Sequence, residues 1–317
     1  MLRLFKWTLY LAAAAILFTA LGCGKADDKT GKSLDQKPAS GITIGVSLLT
    51  RTHPFYQDLE AGLKEAADSA GFQLVITAGE FDVAKQKDQI NDFIVQKVNA
   101  IIVSPCDSRS IGTAITAANE AGIPVFTADI ACLAPEAKVI SHIASDNVEG
   151  GRLAAQAVAK AINGAGKVAI IDHPEVESVI QRVRGFEEEI AKYEGITVAA
   201  KLSGHGVKDQ AFRTAEDVLQ AHPDLKAFFG INDDSALGAL AAVEKAGKVG
   251  KVKIVGFDAV PEAREAISEG RIYADVIQQP KLIGQSTIEA VKTYLSGGEV
   301  EPTILIPCDL FSQPGTN

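Results

Sequence analysis

The chain has 317 residues, 47% of them apolar and 22% charged, enough to bury a large core and to divide into two domains. Its formal net charge of −9 argues against a phosphate-backbone partner, because that kind of binding is driven by Lys and Arg displacing counterions. A neutral small ligand fits the composition better, with no nucleic acid among the partners.

Arg3 and Lys6 precede an apolar run over residues 7–21 that is short for a membrane span and leads through small residues to Cys23. This reads as a secretory signal over residues 1–22. Thr19-Ala-Leu-Gly-Cys23 resembles a bacterial lipobox, which implies lipidation of Cys23 and a protein anchored to a membrane in the periplasm or at the cell surface. Residues 23–41, with their Lys, Asp, Ser and Gly content, suit a flexible linker.

From residue 42 onward, strand and helix patterns alternate. Apolar runs predict strands at 42–49, 72–77, 100–104 and 123–127, and helical periodicity lies between them at 54–70, 82–98 and 111–121. An extended segment then ends at Ser145-Asp146, either of which can cap a helix running to Ile162. The design repeats with strands at 167–172, 197–202, 227–231 and 253–257 and helices at 179–193, 209–221 and 235–246. A strand at 273–278, a helix at 280–295 and a strand at 303–306 close the pattern. Such alternation calls for parallel sheets covered on both faces, with ligand sites outside the carboxyl ends of the strands. The expected fold class is α/β, with two doubly wound parallel-sheet domains joined by three crossings. One lobe takes residues 42–145 plus 279–306, and the other takes 146–278 plus 307–317.

Three further cysteines, Cys106, Cys132 and Cys308, lack metal-ligand spacing. Cys106 and Cys132 each follow a predicted strand on one side of a sheet, so they either pair in an oxidising compartment or stand as separate thiols.

The informative polar residues lie directly after strands. His53, Phe55 and Tyr56 follow the first, Asp129 the fourth, and Asn232 and Asp258 follow strands of the second half. Carboxylates and amides with fixed donor and acceptor directions, beside aromatic faces, are what a polyhydroxylated ligand needs, since each buried hydroxyl must be satisfied. Singly, each is explained as well by a cap or a turn. The grouping across both halves carries the reading.

Four segments make the sequence recognisable: Ser141-His-Ile-Ala-Ser-Asp-Asn-Val-Glu-Gly-Gly151, Ala221-His-Pro-Asp224, Asn232-Asp-Asp-Ser-Ala-Leu-Gly-Ala-Leu240 and Val255-Gly-Phe-Asp258. Over residues 42–310 the chain resembles the family of periplasmic ribose- and sugar-binding proteins. The resemblance implies the type I periplasmic binding protein fold with a three-strand hinge, a monosaccharide or sugar-like ligand, and delivery to the permease of an ABC importer. It also implies ligand contacts from His53, Phe55, Tyr56, Asp129, Asn147, Asn232, Phe257, Asp258 and Gln278. Two departures alter the expected specificity. Ile130 stands where the family has an Arg after its Asp, and Ile180 stands where a second Arg is expected, so both cationic clamps look absent. On this reading ribose itself fits poorly, because buried hydroxyls would lose multi-donor partners.

Three rival readings follow from single features. His53, His173 and His205 all follow predicted strands and raise a metal site or a His base, yet the sequence has neither the Gly-x-Ser-x-Gly elbow nor a phosphate loop. We therefore expect no enzyme, no cofactor and no metal. A lactose-repressor-type regulator shares the fold but needs an N-terminal helix-turn-helix where this chain has its signal. A membrane sensor could receive the ligand, a sugar or a furanosyl autoinducer, in place of a permease. The expected state is a monomer.

Overall fold

The computed structural model describes residues 41–313. The signal, the lipobox Cys23 and nearly all of the linker lie outside the described residues.

In chain order the first half runs β1 (Thr43–Leu48), α1 (Pro54–Ala70), β2 (Gln73–Ala78), α2 (Val83–Gln96), β3 (Ala100–Val103), α3 (Gly112–Glu120), β4 (Val125–Ala128) and β5 (His142–Ser145). The second half runs α4 (Asn147–Ala161), β6 (Ala165–Asp172), α5 (Glu177–Ile190), β7 (Gly195–Ser203), α6 (Lys208–Ala221), β8 (Leu225–Gly230), α7 (Asp233–Lys245), β9 (Lys253–Asp258), α8 (Pro261–Ser268) and β10 (Ala274–Ile277). The chain ends with α9 (Pro280–Leu295), β11 (Thr303–Ile306) and β12 (Asp309–Ser312).

The strands form two six-stranded sheets, ordered β11-β5-β4-β3-β1-β2 and β12-β10-β9-β8-β6-β7. All pairings are parallel except that of β12, which runs antiparallel to β10. The α/β class with two mostly parallel, helix-covered sheets is thus the one the alternation predicts. β3 and β4 are apolar at nearly every position and buried at all of them, as strands covered on both faces must be. α8 and β12 escaped the sequence reading. α8 is short and opens on Pro261, and β12 is four residues long and pairs with a distant partner.

The chain passes between the sheets three times: after Ser145, after Ile277 and after Ile306. Of the two residues proposed to cap α4, Asp146 does so, its carboxylate accepting from the Glu149 N–H at 3.0 Å. α4 and α5 then pack backbone to backbone. A Cβ on Gly151 would collide with the Arg182 carbonyl, and one on Gly185 with the Val148 carbonyl, so glycine at both positions brings Arg182 within reach of Asn147. Cys106, Cys132 and Cys308 are free thiols, which settles the open pairing of the first two in favour of separate groups. Burial pushes the Cys106 thiol up to about 12.

Candidate functional site

The loops at the carboxyl ends of both sheets face each other and line a cleft between the two sheets. The first lobe contributes side chains that follow β1, β2 and β4. The second contributes those that follow β6 through β10.

His53 caps α1. Its Nδ1 accepts from the Phe55 N–H at 3.2 Å, which leaves Nε2 as the N–H of the neutral ring. Nε2 has no hydrogen-bond partner and lies 3.6 Å from the Asp258 Oδ2 of the opposite lobe. A donor and an acceptor therefore stand side by side across the cleft, the pattern that a hydroxyl group completes. Asp258 is held from behind by Gln278, whose Nε2 donates to Oδ1 at 2.6 Å. The parallel register of β9 and β10 sets Ile277 beside Asp258 and so brings this pair together. The Gln278 Oε1 accepts from the Ser145 hydroxyl at 2.5 Å, so two of the crossings are tied to the same carboxylate.

Asp129 follows β4 in the left-handed region, at φ 68°, and accepts from the Tyr56 hydroxyl at 2.6 Å. Burial raises its carboxyl to about 7, against the opposing effect of the Tyr56 hydrogen bond. Burial also raises the Tyr56 hydroxyl, with the Asp129 charge adding to it. Asn232 caps α7 by accepting from the Ser235 N–H at 2.9 Å and donates to the Gly206 carbonyl at 3.0 Å.

Arg182 is the cation of the cleft wall. Its Nε and Nη2 donate to the Asn147 Oδ1 at 3.3 and 2.8 Å, its Nη1 donates to the Ile231 carbonyl, and its Cζ lies 3.5 Å from the Phe257 ring centroid. Burial lowers its proton affinity, with Asp258 and Asp129 opposing that shift.

A family model described as the periplasmic binding protein domain matches residues 44–299. The chain belongs to that family. The ribose import binding protein of Bacillus subtilis is 35% identical over 298 residues, covering 94% of this chain and 96% of that protein. An ABC transporter solute-binding protein from Agrobacterium vitis, bound with α-D-tagatopyranose, superposes with a TM-score of 0.83 at 30% identity, covering 86% of this chain and 95% of that one. The Caulobacter myo-inositol binding protein, with myo-inositol bound, gives a TM-score of 0.81 at 27% identity, covering 88% and 95%. These relatives are binding proteins and not enzymes, and one architecture holds both a ketohexose and a cyclitol.

As a periplasmic binding protein, the chain brings most of the expected residues to one place. His53, Phe55, Tyr56, Asp129, Asn232, Asp258 and Gln278 line the cleft, as does Ile130. Three expectations need correction. Asn147 and Phe257 sit behind Arg182, one holding its N–H groups and the other its flat face, so they support the wall without forming it. Ile180 does not occupy a clamp position: it is 39% exposed, whereas Arg182, two residues on, turns about 200° around α5 to face the cleft. One arginine, Arg182, therefore lines the cleft. Its signal was the buried stripe of Ser178, Val179, Arg182, Val183 and Phe186, whose helical spacing includes position 182 and excludes 180.

Sequence reasoning also missed Phe81, which lines the cleft from the turn after β2 with φ 63°. His173 lines the cleft, and its ring centroid lies 6.5 Å from that of His205. Among the described residues no group of three or more His, Cys, Asp and Glu is arranged to hold a metal ion.

Proposed function

We propose that this chain is an extracytoplasmic solute-binding lipoprotein, anchored through Cys23, that captures a monosaccharide or cyclic polyol between its lobes and delivers it to the permease of an ABC importer. The observation that carries the reading is the cleft wall. Arg182, the His53 Nε2–H and the Gln278 amide supply donors, and Asp129 and Asp258 supply acceptors. Phe55 and Phe81 stand beside them for the C–H faces of a ring. Each polar group approaches from a fixed direction because its remaining atoms are already bonded within the protein. A ligand meeting both walls favours the closed arrangement by its differential contacts there, and the closed form is what a permease would read. Ile130 places an apolar side chain next to Asp129, which supports a ligand with fewer hydroxyls on that edge than ribose presents.

A thermal-shift panel of D-ribose, D-allose, D-tagatose, D-arabinose, myo-inositol and glycerol tests this. A ligand at about a hundred times its dissociation constant adds roughly 2.7 kcal/mol of stability. We expect at least one cyclic member to raise the midpoint more than ribose does. A panel without any shift overturns the sugar assignment.

A further inference from the structure

Beneath the cleft lies a second polar feature that has no part in direct ligand contact. Asp233, the first residue of α7, and Asp275, on β10, are both fully buried. Their carboxyl groups meet over Gly256 of β9: a Cβ placed on that glycine would lie 3.0 Å from the Asp233 Oδ1 and 2.9 Å from the Asp275 Oδ2. Of the four carboxyl oxygens, the Asp233 Oδ2 accepts from the Val260 N–H at 2.6 Å, and the backbone N–H groups of Ala259 and Val276 face the Asp275 carboxyl. Two ionised carboxylates meeting in a dry core would repel each other and lack the solvation that water gives them. A single proton turns the same arrangement into a hydrogen bond.

We propose that Asp233 and Asp275 share one proton and, as a pair, act as positioning residues for the turn at residues 258–260 that presents Asp258 to the cleft. That Asp258 meets the ligand rests on the function proposed above. The turn needs such support, because Asp258 and Ala259 both adopt positive φ, 116° and 57°, where non-glycine residues are strained. The Val260 N–H donates to Asp233 and the Arg264 Nε to the Ala259 carbonyl at 2.6 Å, while the Ala259 N–H faces Asp275. The charge facing the pair is that of Asp258 itself. Asp234, next on α7, has His53, Asp258, Lys208 and Glu262 as its titratable neighbours, and the Arg264 guanidinium lies over the Phe311 ring. Burial keeps both carboxyls of the pair above the ordinary range, Asp275 at about 7.

A carboxyl raised in the fold binds its proton more tightly there than in the unfolded chain. Its contribution to stability is fully present below the ordinary Asp range and is lost as pH rises through about 7. Ionisation would set a second negative charge under the turn and push α7 and β10 apart.

The test needs no ligand. Melting of the full chain, Asp275→Asn and Asp233→Asn is followed from pH 5 to pH 8. The Asp275→Asn change replaces the shared proton with a fixed N–H, and the amide oxygen introduced by Asp233→Asn can still accept from Val260. We expect the gap between the wild type and either variant to change in the variant's favour by about 5 °C across that range. Parallel curves for both variants overturn the shared proton. In the same samples the Val260 amide resonance reports the turn. It should titrate in the wild type and stay fixed in Asp275→Asn, and an amide that does not move with pH in the wild type overturns the positioning role. Both readouts are independent of the sugar panel, so failure of one reading leaves the other separately decided.

Discussion

Arg182 commits three of its N–H groups within the protein and still faces the cleft. Arg182→Ala leaves the Asn147 amide oxygen and the Ile231 carbonyl buried without a donor, at about 1–3 kcal/mol each. We expect a lower melting midpoint and, for whichever panel sugar binds, an affinity loss of roughly 100-fold by calorimetry. Ile180→Ala, on the exposed side of the same helix, should change stability by less than about 0.5 kcal/mol and affinity not at all. Wild-type affinity in Arg182→Ala would remove that residue from the site. The contrast also shows where single residues were legible. A residue following a strand ends at the cleft because the topology takes it there, which is why His53, Asp129, Asn232 and Asp258 came together as expected. Which of two neighbours faces the ligand depends on local rotation. Phe257 and Asp258 lie on opposite sides of their strand end, as do Ile180 and Arg182 on their helix, and periodicity settles this only when the whole buried stripe is counted.

At the scale of elements, α5 is capped from the other lobe. Val176 at its N-cap offers no side-chain bond, and the Glu177 N–H instead donates to the Ser108 hydroxyl at 2.8 Å, from the loop after β3. The Ser108 N–H in turn donates to the Glu175 carbonyl at 3.0 Å. A helix N-terminus that carries Arg182 is thus satisfied only when the lobes meet. Ser108→Ala should cost about 1 kcal/mol, the usual value of a lost cap, and should appear as roughly fivefold faster ligand dissociation in stopped-flow measurements with little change in association. An unchanged dissociation rate would mean the contact plays no part in closure. Every long, periodic element was readable in the sequence, but a cap supplied in trans was not, because nothing local to Val176-Glu177 announces a hydroxyl that is remote in the chain. β12 escaped for the same reason, its partner strand being set by topology.

At the scale of the whole molecule, the three crossings converge. Ser145 bonds Gln278 at 2.5 Å, and the Cys308 thiol donates to the Asp146 carbonyl at 3.7 Å, so each crossing touches another. The last crossing carries β12, whose Leu310 and Phe311 pair with Val276 and Asp275. A chain ending at Pro307 loses that edge strand and the ring under Arg264, and we expect its midpoint to fall by about 5–10 °C. An unchanged midpoint would show β12 to be dispensable. The interleaving has a consequence in time as well as in space. The edge strand β11 of the first sheet leaves the ribosome only after every parallel strand of the second, and the second sheet waits for β12. Neither lobe has its full complement of strands until residues 303–312 have been made, so up to that point the nascent chain holds no finished sheet, the state in which a polypeptide can still be threaded through a narrow translocation pore.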